Sequence, residues 1–336
     1  MIFYKKSVGF LLAIFFLSFL SFLSCSAQTA ELTKVIPMPD FVGIEKWINT
    51  EPLSKTNLKG KVVLVDFWTY TCINCLRTVP HLVDWHNKYK DQGLVIVGIE
   101  SPEFSFEGEI QNVEKAIDKL KIPYPVGVDS QMKTWDAFGN NVWPAHYLVD
   151  SKGTIRRVFL GEGDYEIQEK LIQQLLREKT PADSEKLKNM GTSSVPLPDF
   201  SQIHSPETYL GAARRQGLVT PDKNLSLNEW TYEGKWKDSI DFIELSAPHG
   251  KIRYHFKSNK VNLVVHPGSL PAKMSVRLDG QVVKDNQAGS DVKSGNVEVG
   301  EPRLYQLINL GPKEEEHIVE IEFLTPGIQA YAFTFG

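Results

Sequence analysis

The chain has 336 residues, enough for two domains of ordinary size. It is 42% hydrophobic and 23% charged with a formal net charge of -4, a globular composition that offers no electrostatic reason to expect nucleic acid or an anionic membrane surface as a partner. Its three cysteines cannot all pair with one another, so at least one needs another role.

Lys5 and Lys6 precede an apolar run from Val8 to Leu23 that ends in Ser24-Cys25-Ser26-Ala27, the layout of an export signal over residues 1–27. Phe22-Leu23-Ser24-Cys25 resembles the point at which bacterial lipoprotein signals are cut and the cysteine is lipid-modified. Cys25 is therefore the expected lipid anchor of a periplasmic protein. The alternatives are cleavage after Ala27, which would release a soluble periplasmic form, and an uncleaved anchor helix.

Beyond Pro37 and Pro39, Lys61 to Trp68 is a short continuous apolar run that suits a buried central strand. Asn74 to about Tyr89 follows as a helix with Leu76, Val79, Leu82, Val83 and Trp85 on its buried face and Pro80 within it. Asp91-Gln92-Gly93 ends that helix, and Leu94 to Ile99 is the next buried strand, which completes a βαβ unit. A helix over Glu107 to Leu120, a strand over Tyr124 to Val128 and a helix over Gln131 to Phe138 come next. His146 to Asp150 and Thr154 to Phe159 flank Ser151-Lys152-Gly153 as a hairpin, and Tyr165 to Arg177 is a closing helix. The whole reads as one compact α/β domain from 32 to 180.

Residues 181–198 lack hydrophobic periodicity and read as a linker. From 199 to 336 short alternating runs recur: Ile240 to Leu245, Ile252 to Phe256, Val261 to Val265, Met274 to Leu278, Val282 to Val283, Leu304 to Leu310, Ile318 to Phe323 and Ile328 to Phe335. Asp279-Gly280 marks a tight hairpin. This pattern predicts an all-β sandwich or jelly roll. Trp230, Tyr232 and Trp236 share a period-two face that suits core packing better than stacking on sugar rings.

Cys72 and Cys75 carry the chemistry. They fall where a strand gives way to a helix, so the first sulfur meets the unpaired N–H groups and positive end of the helix dipole. In Cys-x-x-Cys motifs so placed the thiol pKa drops from about 8.5 to roughly 3.5–7.5, which makes the first cysteine a nucleophile at neutral pH. The second can resolve the resulting mixed disulfide. A loop this short closes off little chain entropy, which argues against a purely structural staple. His81 and His86 could in principle complete a zinc site with the two cysteines. Five residues apart, they are separated by about 500° of helical rotation and face different sides.

The string Val65-Asp66-Phe67-Trp68-Thr69-Tyr70-Thr71-Cys72-Ile73-Asn74-Cys75, with Pro80 downstream and Trp143-Pro144 before a strand, resembles the active-site landmarks of the thioredoxin superfamily. Trp-Thr-Tyr-Thr-Cys-Ile-Asn-Cys-Leu-Arg, Ser101-Pro102-Glu103-Phe104 and Gly161-Glu162-Gly163 are similar to the DipZ-type branch of TlpA-like periplasmic thioredoxins. Ser205 to Gly211 and Tyr331 to Gly336 look like landmarks of that branch's C-terminal β-rich domain, which is carbohydrate-binding-module-like. The resemblance thus spans nearly the whole chain after the signal. It implies that Asp66 accepts the proton of Cys75, and that Trp143, Pro144 (in a cis peptide) and Trp68 shape the substrate groove. DipZ-type proteins usually begin with a CcdA-like membrane domain, so the expected electron donor is a separate CcdA-like membrane protein.

These readings predict an exported thiol–disulfide oxidoreductase without a cofactor, acting on oxidised exported proteins, with apocytochromes c as candidate substrates. The Ile73-Asn74 dipeptide brings no cation between the cysteines, and with Asp66 present the expected direction is reduction. Two other functions would use the same chain differently. One is a glycan-binding or adhesion protein with an accessory redox unit. The other is a thiol peroxidase, although the Pro-x-x-x-Thr-x-x-Cys pattern is absent.

Overall fold

The computed structural model describes residues 36–180, 182, 187, 191–268, 272–312 and 315–336; the expected signal and Cys25 lie outside the described residues. The α/β part runs β1 (Ile36–Pro37), β2 (Lys46–Ile48), β3 (Val62–Trp68), α1 (Ile73–Tyr89), β4 (Leu94–Glu100), α2 (Ile110–Leu120), β5 (Val126–Val128), α3 (Lys133–Phe138), β6 (Ala145–Val149), β7 (Thr154–Leu160) and α4 (Tyr165–Lys179). Its strands form a seven-stranded sheet in the order β1-β7-β6-β3-β4-β5-β2. β3, β4 and β5 are parallel, as their helical crossovers require, and β6 and β7 form the antiparallel hairpin.

Every residue of β3 is buried, because helices or loops cover both sides of the sheet. Alternation along this strand sorts its side chains into two cores. Val62, Leu64 and Trp68 join Cys75, Val79, Leu82 and Trp85 of α1, whereas Val63, Val65 and Phe67 pack with Trp135, Phe138 and Tyr147 on the other face. Helix α2 begins at Ile110, three residues later than the sequence pattern suggests, because Ser105–Gly108 forms a separate 3-10 turn.

The all-β part contributes β8 (Thr208–Tyr209), β9 (Trp230–Glu233), β10 (Trp236–Asp238), β11 (Ile243–Leu245), β12 (Gly250–Lys257), β13 (Lys260–His266), β14 (Ala272–Leu278), β15 (Gln281–Val282), β16 (Asn296–Val299), β17 (Arg303–Asn309), β18 (Glu316–Phe323) and β19 (Gln329–Phe335). One sheet has the order β10-β11-β19-β13-β17 with β8 added on β19; the other has β15-β14-β18-β12-β9 with β16 added on β14. Their inner faces share one core, in which Tyr254 meets Phe333 and Phe335 at 5.2 and 5.4 Å between ring centroids. This is the predicted sandwich. Asp279 and Gly280 both take positive φ, as a two-residue hairpin between β14 and β15 demands.

Trp230 and Tyr232 lie on β9, but Trp236 lies on β10 of the other sheet; Gly234, at φ 100°, makes the turn between them. Trp230 is fully buried and its indole N–H donates to the Gln216 carbonyl, so the group packs in the core as expected.

The two parts meet through a continuous apolar contact: Val264, Leu304, Tyr331 and Ala332 of the sandwich belong to the same core cluster as Cys75 and α1. Polar groups pin the seam. Glu103 accepts from Tyr209 Oη at 2.7 Å and pairs with Arg214, and Arg77, two residues after Cys75, donates to the carbonyls of Phe335 and Gly336.

Candidate active site

Cys72 is the N-cap of α1. Its sulfur accepts from the Cys75 backbone N–H at 3.2 Å, so it occupies the anion-favouring end of the helix. The two cysteines are paired as a disulfide, with Cα atoms 5.2 Å apart. Cys75 is buried and Cys72 is half-buried. Only the first sulfur is open to a partner, the asymmetry needed for one thiol to attack and the other to resolve.

The loop before Cys72 is held from below by two buried carboxyl groups that the sequence reading did not single out. Thr69 Oγ1 donates to Glu100, which ends β4 directly opposite Trp68, and Thr71 donates to Glu107. Glu107 also accepts the N–H groups of Glu103 and Phe104, both at 2.7 Å, and so builds the 3-10 turn. Burial, reinforced by Glu107, pushes the Glu100 carboxyl well above the ordinary glutamate range. Burial, and then Glu103, pushes Glu107 up to about 7. The sequence signal for Glu100 was an acid at the end of the apolar strand Leu-Val-Ile-Val-Gly-Ile-Glu.

Asp66 is buried on β3, in phase with Val62, Leu64 and Trp68 and therefore on the Cys75 side of the sheet. Its register partner on β6 is His146, whose Nε2 lies 3.2 Å from Asp66 Oδ1. The Trp143-Pro144 peptide is cis. Trp143 is half-buried, donates to the Ser101 carbonyl at 2.9 Å and packs on Trp135 with 4.3 Å between ring centroids. Trp68 requires a correction. Its side chain is fully buried in the core under α1, so it supports the active-site loop and cannot touch a substrate.

The two histidines weighed as metal ligands pack against different aromatic rings. His81 stacks on Tyr165 at 3.7 Å and His86 lies beside Tyr124. A cleft of about 340 Å³ opens between the two parts, lined by Tyr70, Leu76, Lys115, Lys119 and Arg303 among others.

Residues 37–158 match the AhpC/TSA family and residues 205–336 the thioredoxin like C-terminal domain. Both matched segments are thus of thioredoxin-like families, an AhpC/TSA domain followed by a thioredoxin C-terminal domain. It is homologous to DipZ of Mycobacterium bovis, with 33% identity over 331 residues covering 93% of this chain and 45% of the relative. The chain thus spans about half the length of the curated relatives it matches first. The thiol-disulfide oxidoreductase YkuV of Bacillus subtilis is 29% identical over 142 residues, 42% of this chain and 95% of that protein. A solved solution structure of a thioredoxin-like protein in the oxidised form shares 29% identity, with a TM-score of 0.40 over 42% of this chain and 95% of its own.

Proposed function

We propose that this protein is an exported thiol–disulfide oxidoreductase that reduces disulfides of extracytoplasmic proteins. The observation that carries the reading is the accessible Cys72 sulfur at the N-terminus of α1, paired with the buried Cys75. In the reduced protein the Cys72 thiolate attacks a substrate disulfide and forms a mixed disulfide, and the first substrate sulfur departs as a thiolate that takes a proton. Cys75 then gives its proton to Asp66 and attacks the Cys72 sulfur. The protein disulfide re-forms and the second substrate thiol leaves. Two electrons pass from the dithiol to the substrate, and no cofactor enters the balance.

Trp143 and Pro144 shape the groove in which an extended substrate segment lies beside the cysteines. The substrates are oxidised exported proteins, apocytochromes c among them, and a CcdA-like membrane protein re-reduces the Cys72–Cys75 disulfide. Cys25 anchors the protein in the periplasm through its lipid. Residues 32–180 act as the redox domain and 199–336 as the sandwich domain, with 181–198 as their link. The glycan-binding alternative loses support from the burial of Trp230.

Turnover of insulin disulfides with dithiothreitol as donor tests the reading. The wild-type protein is expected to accelerate reduction, and Cys72→Ser to lose at least about a thousandfold of that acceleration, the scale on which removing a covalent nucleophile acts. A Cys72→Ser protein as active as wild type, or rapid peroxide consumption with no disulfide turnover, would contradict it.

A further inference from the structure

Asp66 is not alone behind the cysteines. Asp66 and His146 are both essentially inaccessible to solvent and face one another at 3.2 Å between Oδ1 and Nε2, and neither atom has an aligned hydrogen-bond partner among the described residues. The other ring nitrogen is fixed: His146 Nδ1 lies 2.6 Å from Gln168 Oε1, and the Gln168 amide N–H donates to the Gly163 carbonyl at 2.8 Å. With its NH2 group committed to Gly163, Gln168 presents its oxygen to the ring, so Nδ1 carries the hydrogen and donates. In a neutral ring Nε2 is then a bare acceptor, and it faces another acceptor, the Asp66 carboxylate. Two acceptors at that distance in a dry site are satisfied only by one proton held between them.

We infer that Asp66 and His146 together form the store for the proton that leaves Cys75, with His146 as a positioning residue that acts through Asp66 and Gln168 as the clamp that sets its tautomer. The inference rests on the dithiol reading of Cys72 and Cys75 and deepens it. Placement supports the pair. Leu148, two residues from His146 on β6, lies in the Cys75 core cluster, so His146 projects to the same face of the sheet as Asp66. The other titratable groups around the pair are His81 of α1, Tyr165 and Glu169 of α4, Tyr124 ahead of β5 and Glu100 at the end of β4. Burial holds His81 below the ordinary histidine value and Glu100 well above the ordinary glutamate value, so in both the buried site disfavours the charged form.

In the resolving step the Cys75 S–H bond breaks, its proton passes to the Asp66–His146 pair, and the Cys75 thiolate breaks the bond between Cys72 and the substrate sulfur. That proton is afterwards available to the departing substrate thiolate. Stopped-flow oxidation of the reduced protein by 5,5′-dithiobis(2-nitrobenzoate) separates the two events, since the first chromophore released reports Cys72 attack and the second reports resolution by Cys75. For His146→Leu the first phase should match wild type, and the second should fall about tenfold or more at neutral pH, the lower part of the range for a lost proton acceptor. Its pH profile should move towards an unassisted thiol, near about 8.5.

His146→Gln keeps polar contacts but cannot hold a proton, so it should fail in the same way. Gln168→Leu leaves the pair in place and should produce a smaller shift of the same sign, which keeps the test open if position 146 does not tolerate leucine. An unchanged second phase in His146→Leu, or its restoration by His146→Gln, would overturn the inference while leaving the oxidoreductase intact. A wild-type protein with no first phase would instead sink the dithiol reading itself.

Discussion

In the α/β part the buried polar residues include Asp66, Glu100, Glu107, Asp129, His81 and His146, whereas in the sandwich they are Ser205, Thr208, Thr231, Ser258, Asn262 and Thr334. One interior holds ionisable groups that cost free energy to bury; the other, among the described residues, holds hydroxyls and an amide, most of them hydrogen-bonded to a neutral partner. Several of the buried acids surround one loop. Glu100 and Glu107 hold Thr69 and Thr71 ahead of Cys72, and Asp66 lies on the Cys75 side of the sheet. Burying unpaired carboxyl groups is poor economy for a scaffold and useful for proton transfer, so the contrast assigns chemistry to the first part and packing to the second.

The largest expected effect that breaks this comparison into its halves is on the sandwich. Trp230→Ala removes a fully buried indole and leaves the Gln216 carbonyl without its donor, at a cost of about 3–5 kcal/mol. Because Tyr331 and Ala332 share a core with Cys75, denaturant unfolding should remain a single transition with a lower midpoint. Two separated transitions would show that the parts are energetically independent.

A smaller and pH-dependent effect is expected at Glu107 in the α/β part. Glu107 is raised from 4.5 to about 7, so the folded state binds this proton more tightly than the unfolded chain. Its contribution to stability is full below about 4.5 and is lost as pH rises through about 7; the buried Glu100 acts with the same sign. The melting temperature should therefore fall between mildly acidic and mildly alkaline pH. Glu107→Gln, which retains an acceptor for the Glu103 and Phe104 N–H groups, should flatten part of that fall. An identical pH slope in the variant would place the dependence elsewhere.

Much of this arrangement is legible in the amino-acid order because it rests on local rules. The apolar run before Cys72, the helical spacing of Val79, Leu82 and Trp85, and the Asp279-Gly280 turn each specify an element through neighbours a few residues away. The edge strands β1 and β2 were not legible, since two or three residues show no period. Strand β10 escaped because a single Gly234 turn moves the chain to the other sheet, which no alternation count records. At the site the cysteines announce themselves, but the partnership of Asp66 with His146 depends on β3 and β6 lying side by side, 80 residues apart in sequence. A histidine inside the strand Ala-His-Tyr-Leu-Val was the available hint; its partner was set only by register. Trp68 shows the opposite failure, a motif residue whose place in the string suggested contact with substrate and whose burial excludes it.

The most direct test of the central claim is the reduction potential of the Cys72–Cys75 pair, measured by equilibrating the protein against glutathione and dithiothreitol buffers. A reversible two-electron transition near the thioredoxin value of about −270 mV is the predicted result, whereas a value near the DsbA figure of about −120 mV, or no transition at all, would contradict a disulfide reductase.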